Sequence, residues 1–93
     1  MATGSATLDF GSTPTDQATI LVTGLSGLST GTFKEAFVQS DDSTSDNTAM
    51  DHRALGYFGR FSCEYVSSTT MNINCDLLAG FATGTFTIRY VTA

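Results

Sequence analysis

The sequence predicts an all-β fold: a single antiparallel β-sandwich domain spanning residues 1–93, Ig-like or jelly-roll-like, with six to seven strands. Three observations carry that expectation. Apolar and polar residues alternate with a period of two in most segments, which places residues i and i+2 on one face of a strand. The apolar segments are built from Val, Ile, Phe and Tyr with interspersed Thr, residues that suit a pleated, half-buried surface. Clusters of Gly, Ser, Asp, Asn and Pro interrupt the chain roughly every 8–15 residues, the all-β rhythm. Apolar residues nowhere recur at i, i+3, i+4 and i+7 over three turns, so no helix is expected.

The elements follow in order. Ala6–Phe10 puts Ala6, Leu8 and Phe10 on one face, and Gly11–Thr15 breaks it. Gln17–Thr23 points Ala18, Ile20 and Val22 inward, with Thr19, Leu21 and Thr23 outward. Gly24–Ser29 is a glycine-punctuated loop. Thr32–Gln39 places Phe33 and Phe37 on one face with Glu35. Ser40–Asn47 is polar and acidic. Leu55–Val66 alternates Tyr57, Phe61, Cys63 and Tyr65 against Phe58, Arg60 and Glu64. Thr70–Leu78 turns Met71, Ile73, Cys75 and Leu77 inward, and Thr85–Val91 does the same with Phe86, Ile88 and Tyr90. Two sheets sharing one core bury one face of each strand. Leu28-Ser29-Thr30-Gly31-Thr32-Phe33 is echoed by Phe81-Ala82-Thr83-Gly84-Thr85-Phe86, which predicts two strands entered through the same glycine turn, in related places of the two sheets.

Composition narrows function. Only 14% of residues are charged, against about 25% in an average soluble domain. Sixteen Thr and ten Ser take their place. Hydroxyl-bearing outward faces can be buried against a partner without the cost of desolvating charge, and charged residues are depleted from interface cores. Nine acids against four bases give a net charge of −5, which repels phosphate and argues against nucleic acid as a partner. No apolar run reaches the roughly 18–20 residues of a membrane span, so no membrane partner is expected. The first residues have neither a basic nor an apolar signal region, which predicts cytosolic synthesis.

The stretch Asp41–His52 holds Asp41, Asp42, Asp46 and Asp51, an oxygen-rich loop that could be asked to hold Ca²⁺. It lacks the central Gly and the closing Glu of an EF-hand, so the expectation is an exposed, solvated acidic loop and no metal. Asp51-His52 has the residues of a hydrolytic dyad, but no nucleophile motif accompanies it, and neighbours on a strand point to opposite faces. No catalytic residue and no cofactor are expected, and His52 reads as a locally bonded loop histidine. Cys63 and Cys75 flank the Ser67–Thr70 turn on inward positions. A cross-strand disulfide needs Cα atoms within about 7 Å, whereas cytosolic synthesis favours two buried thiols. Tyr57, Phe58, Phe61 and Tyr65 could form a sugar-stacking platform, but their alternation fits core better.

Several stretches together resemble a group of small structural proteins of tailed bacteriophages, over nearly the whole chain and in the same order. They are Ala6-Thr7-Leu8-Asp9-Phe10-Gly11, Val22-Thr23-Gly24, Glu35-Ala36-Phe37, the Asp51-His52 pair after a Ser/Asp/Asn/Thr loop, and Thr83-Gly84-Thr85-Phe86-Thr87-Ile88-Arg89-Tyr90-Val91. The resemblance implies a non-enzymatic virion component: foremost a capsid decoration (cement) protein that binds the major capsid protein or other virion proteins. A tail, head–tail or fibre-associated piece, or a carbohydrate-binding adhesion module, is the alternative. With the thin core of so short a chain, it implies a homo-oligomer, a trimer in the first instance. The expected protein-contact residues are Leu8 and Phe10 near the start, Thr19 and Leu21 on the second strand, and Phe86, Tyr90 and Val91 near the end.

Overall fold

A computed structural model describes residues 2–93. Six strands and one helix follow one another: β1 (Ala2–Asp9), β2 (Gln17–Val22), β3 (Lys34–Phe37), α1 (Ala49–Phe58), β4 (Gly59–Ser67), β5 (Thr70–Leu77) and β6 (Thr85–Thr92). They form two three-stranded antiparallel sheets, ordered β1-β6-β3 and β2-β5-β4, packed as a small all-β sandwich. The long strands β5 and β6 are the centres of the two sheets because they carry the most regular alternation. Met71, Ile73 and Cys75 of β5 face Phe86 and Ile88 of β6 across the core, with Leu8 and Phe10 beside them. β1 pairs with β6 along its whole length, from Ala2↔Thr92 to Asp9↔Thr85. Thr7 of β1 and Thr19 of β2 are exposed, as the alternation predicts, and so are Thr3 and Ser5 in the stretch of β1 that precedes the expected strand.

Loops close the ends of the sandwich. Gly24 and Gly27 adopt φ of 78° and 69°, the left-handed region where a Cβ is strained. That lets the loop after β2 lie over the β4–β5 hairpin turn, with Leu25 N donating to Thr69 O and Leu28 N to Ser68 O. Leu25 and Leu28 become core residues by this route.

Four expectations need correction. The first is the helix. Thr48 accepts from Asp51 N through its hydroxyl, and the Asp51 carboxylate accepts from Thr48 N, a capping box that satisfies two of the otherwise orphaned donors. His52 and Leu55 face the core one turn apart, and Gly56 lets the helix approach Val38 where a Cβ would collide. Leu55–Phe58 therefore belongs to α1 and not to a strand. The second is the length of β3, which spans Lys34–Phe37 and not Thr32–Gln39, although Glu35 and Phe37 do share a face as expected. Lys34 pairs with Thr92 and Ala36 with Tyr90, so Lys34 and Ala36 lie on the core side, while Glu35 and Phe37 share the other face with Val91 and Arg89. A one-residue slip turns every side chain over, and this segment is apolar at both parities. The inward lysine keeps its charge satisfied by donating from Nζ to Ser29 O and Thr32 O at the open end.

The third concerns the echoed motif. Its two copies do not enter equivalent strands in separate sheets. They lead into β3 and β6, neighbours in one sheet, and only Gly84 of the two glycines is left-handed. The fourth concerns β1, which begins at Ala2 and not at Ala6. Cys63 and Cys75 lie on adjacent strands but are offset: Cys63 pairs with Ile73, and Cys75 with Phe61. Both are free thiols. Burial raises the Cys63 thiol and pushes Cys75 up to about 12, which keeps the latter a small apolar core group.

Candidate interaction surface

β6 is served on its two sides by different chemistry. β1 supplies backbone along one side. On the other side, β3 stops at the Phe37↔Arg89 pair, with Thr85 and Thr87 still to be satisfied. Side chains complete the sheet there. Thr87 N donates to His52 Nε2 at 2.9 Å. Thr85 N donates to both oxygens of the Asp46 carboxylate, and Thr85 Oγ1 donates to Asp46 Oδ1 at 2.6 Å. Thr85 O accepts from Thr44 Oγ1 and from Asn47 Nδ2. Loop and helix thus stand in for the missing length of β3, where buried or half-buried peptide groups require partners.

His52 is the pivot of that substitution. It is fully buried, and its Nδ1 lies 2.9 Å from Thr48 O, the carbonyl one turn earlier in α1. Since Nε2 accepts from Thr87, the proton sits on Nδ1 and is donated to Thr48 O. The ring packs against Phe86 with centroids 5.1 Å apart. Nε2 ties α1 to β6, and Nδ1 fixes the ring against the helix's own N-cap. Asp51 meanwhile is bonded to Thr48, so the adjacent acid and histidine serve separate structural bonds.

The acidic loop is correspondingly less free than a solvated loop would be. Asp42 meets the Arg89 guanidinium through two oxygens, at 2.6 Å and 2.9 Å, and its side chain is only 11% exposed. The hydrogen bonds and charge of Arg89 hold the Asp42 carboxyl below its ordinary value, and Asp42 in turn raises Arg89. The hydrogen bonds of Thr85 and Thr44 lower Asp46. Asp41, Asp46 and Asp51 are exposed as expected, and only Asp42 is half-buried. No group of three or more His, Cys, Asp or Glu side chains among the described residues is placed to hold a metal ion.

The expected contact residues divide by burial. Leu8, Phe10 and Phe86 are core, and no partner reaches them in this fold. Tyr90 is half-buried on the inward face, its ring lying against Gly4, whose missing side chain makes the room. Thr19 and Leu21 are exposed on the outward face of β2, where Thr19 Oγ1 donates to Asn74 Oδ1. Val91 is half-buried on the outward face of β6. The four aromatics expected in the core are dispersed and mostly exposed: Tyr57 and Phe58 lie on α1 and Phe61 and Tyr65 on β4, and of these only Phe61 packs against the core.

The most apolar exposed surface is one that alternation did not find. Met50, Ala54, Tyr57 and Phe58 form a stripe on the outer side of α1, with Arg53 among them. Leu78 and Phe81, in the loop between β5 and β6, extend it, and Leu78 N donates to Phe58 O to tie the two parts together. Between Phe58 and Phe81 lies a groove of about 120 Å³, floored by Leu55, Leu77 and Phe86. The sequence signal that would have found it is Thr48-x-x-Asp51, a helix start, followed by spacings of 50, 53, 54, 57 and 58. Comparison with known proteins finds no matching family model, no matching curated protein and no matching solved structure.

Proposed function

We propose that this protein is a non-enzymatic structural component of a bacteriophage particle, foremost a capsid decoration protein that binds coat protein as a homo-oligomer. The observation that carries the reading is the outward surface of the strands. Exposed positions that a freely solvated β-protein fills with Lys and Glu are here Thr3, Ser5, Thr7 and Thr19. Such a face can be covered by another protein while losing little charge hydration. Binding at many equivalent places on a shell would stabilise both partners through the buried area and mass action. The likeness to small virion proteins supports the same assignment.

The test is the composition of purified particles from the phage whose genome encodes this chain, followed by cryo-microscopy. A decoration protein is expected at a fixed, high copy number on the capsid exterior. Density at the tail or fibre would move the assignment there, and absence from purified particles would remove it. A carbohydrate-binding adhesion module is the second reading, favoured by the exposed rings of Tyr57 and Phe81. A glycan array without hits argues against it.

A further inference from the structure

The apolar groove beside α1 and the exposed ring of Phe33 lie toward opposite ends of β6. Phe33 precedes β3 and is 81% exposed. Its backbone exchanges two hydrogen bonds with Ala93, just past the end of β6. The groove between Phe58 and Phe81 is floored by Phe86, at the other end of β6. Seven residues of strand separate the two, roughly 23 Å at 3.3 Å per residue, in a molecule 34 Å long.

Their chemistries match. A lone apolar cavity of about 150 Å³ takes a benzene ring, and this half-open groove of about 120 Å³ is of comparable size. Glu35, two residues beyond Phe33, is exposed. Arg53 lines the adjoining concavity on α1 with Met50 and Tyr57, a concavity that shares Ala54 and Phe58 with the groove. The Met50, Tyr57, Phe58, Leu78 and Phe81 surface amounts to roughly 600–800 Å², beyond the largest patch of most monomers and close to one side of a standard interface.

We infer that copies of this chain assemble head to tail, with Phe33 of one copy seated in the Phe58–Phe81 groove of the next and Glu35 of the first meeting Arg53 of the second. The inference rests on the homo-oligomer part of the proposed function and not on its location in a particle. A contact between two different patches propagates, closing into a ring where the rotation permits and growing into a filament where it does not.

Sedimentation velocity over a concentration series tests it with three samples. Wild type is expected to self-associate. Phe33→Ser and Phe81→Glu change exposed positions, so each is expected to melt like wild type and to associate about thirtyfold more weakly or worse, as at an interface hot spot. The mixture of these two variants is decisive. The first retains only a groove and the second only a knob, so together they form a one-to-one dimer that grows no further. Glu35→Arg and Arg53→Glu each weaken assembly, and combining them in one chain restores it. A wild type that stays monomeric at high concentration overturns both this inference and the oligomer reading. Oligomers that persist in Phe33→Ser, or a mixture that yields no dimer, overturn this inference alone and point to another face or a different partner in the groove.

Discussion

Thr30-Gly31-Thr32-Phe33 and Thr83-Gly84-Thr85-Phe86 are the same four residues, yet Phe86 is 4% exposed and Phe33 81%. Gly84 has φ of 80° and lies against the side chains of Asp46 and Asn47. Gly31 lies outside the left-handed range and has only the Ser29 hydroxyl nearby. The second copy is gripped by a distant loop and by the segment just after β1, through Phe10 N→Gly84 O and Gly84 N→Gly11 O. The first copy is held by two local bonds, Thr32 N→Ser29 O and Ser29 N→Thr32 Oγ1, and by the two that Phe33 exchanges with Ala93, with no distant side chain closing on its glycine. Identical local chemistry therefore has two fates, decided by what the rest of the chain brings to it.

The comparison can be broken most forcefully at the rings. Phe86→Ala is expected to cost about 3–5 kcal/mol in urea unfolding, the range for a buried aromatic, while Phe33→Ala leaves the midpoint nearly unchanged. Equal losses would mean that the two copies are held alike. His52→Ala comes next, at roughly 2–4 kcal/mol, because it opens a cavity beside Phe86 and leaves Thr87 N–H without a partner. Hydrogen exchange is expected to accelerate at Thr87 and its neighbours before it does in β5. At the glycines, Gly84→Ala is expected to destabilise by about 1–3 kcal/mol through its left-handed backbone and its contact with Asp46, and Gly31→Ala by less than about 0.5 kcal/mol.

The smallest effect is electrostatic. Asp42 and Asp46 both have folded-state values held below the ordinary 3.8. A carboxylate lowered by folding contributes stability that is fully present above its unfolded value and lost as pH falls through the folded one. Melting temperature should therefore drop as pH is lowered from about 5 to 2, and Asp46→Asn should flatten that drop while costing a few degrees near neutrality. A variant with the same acid slope as wild type would show that the Asp46 bonds to Thr85 do not grip the second copy.

Alternation alone determined the all-β class, the inward faces of β2, β5 and β6, and the core residues Met71, Ile73 and Ile88, because a period of two commits each side chain to one face of a sheet. The turn glycines of the loop after β2 were legible for the same local reason, since few other residues tolerate their backbone. The tertiary structure decided the rest. The phase of β3 came from its pairing with β6, since Phe33, Ala36, Phe37 and Val38 allow either face and only the register chooses. The roles of Asp46 and His52 came from the early end of β3, which leaves the Thr85 and Thr87 peptides to be satisfied by residues 35–39 positions away. The apolar end exists because α1 and the β5–β6 loop meet there. A periodicity read along one segment cannot see side chains that another segment delivers.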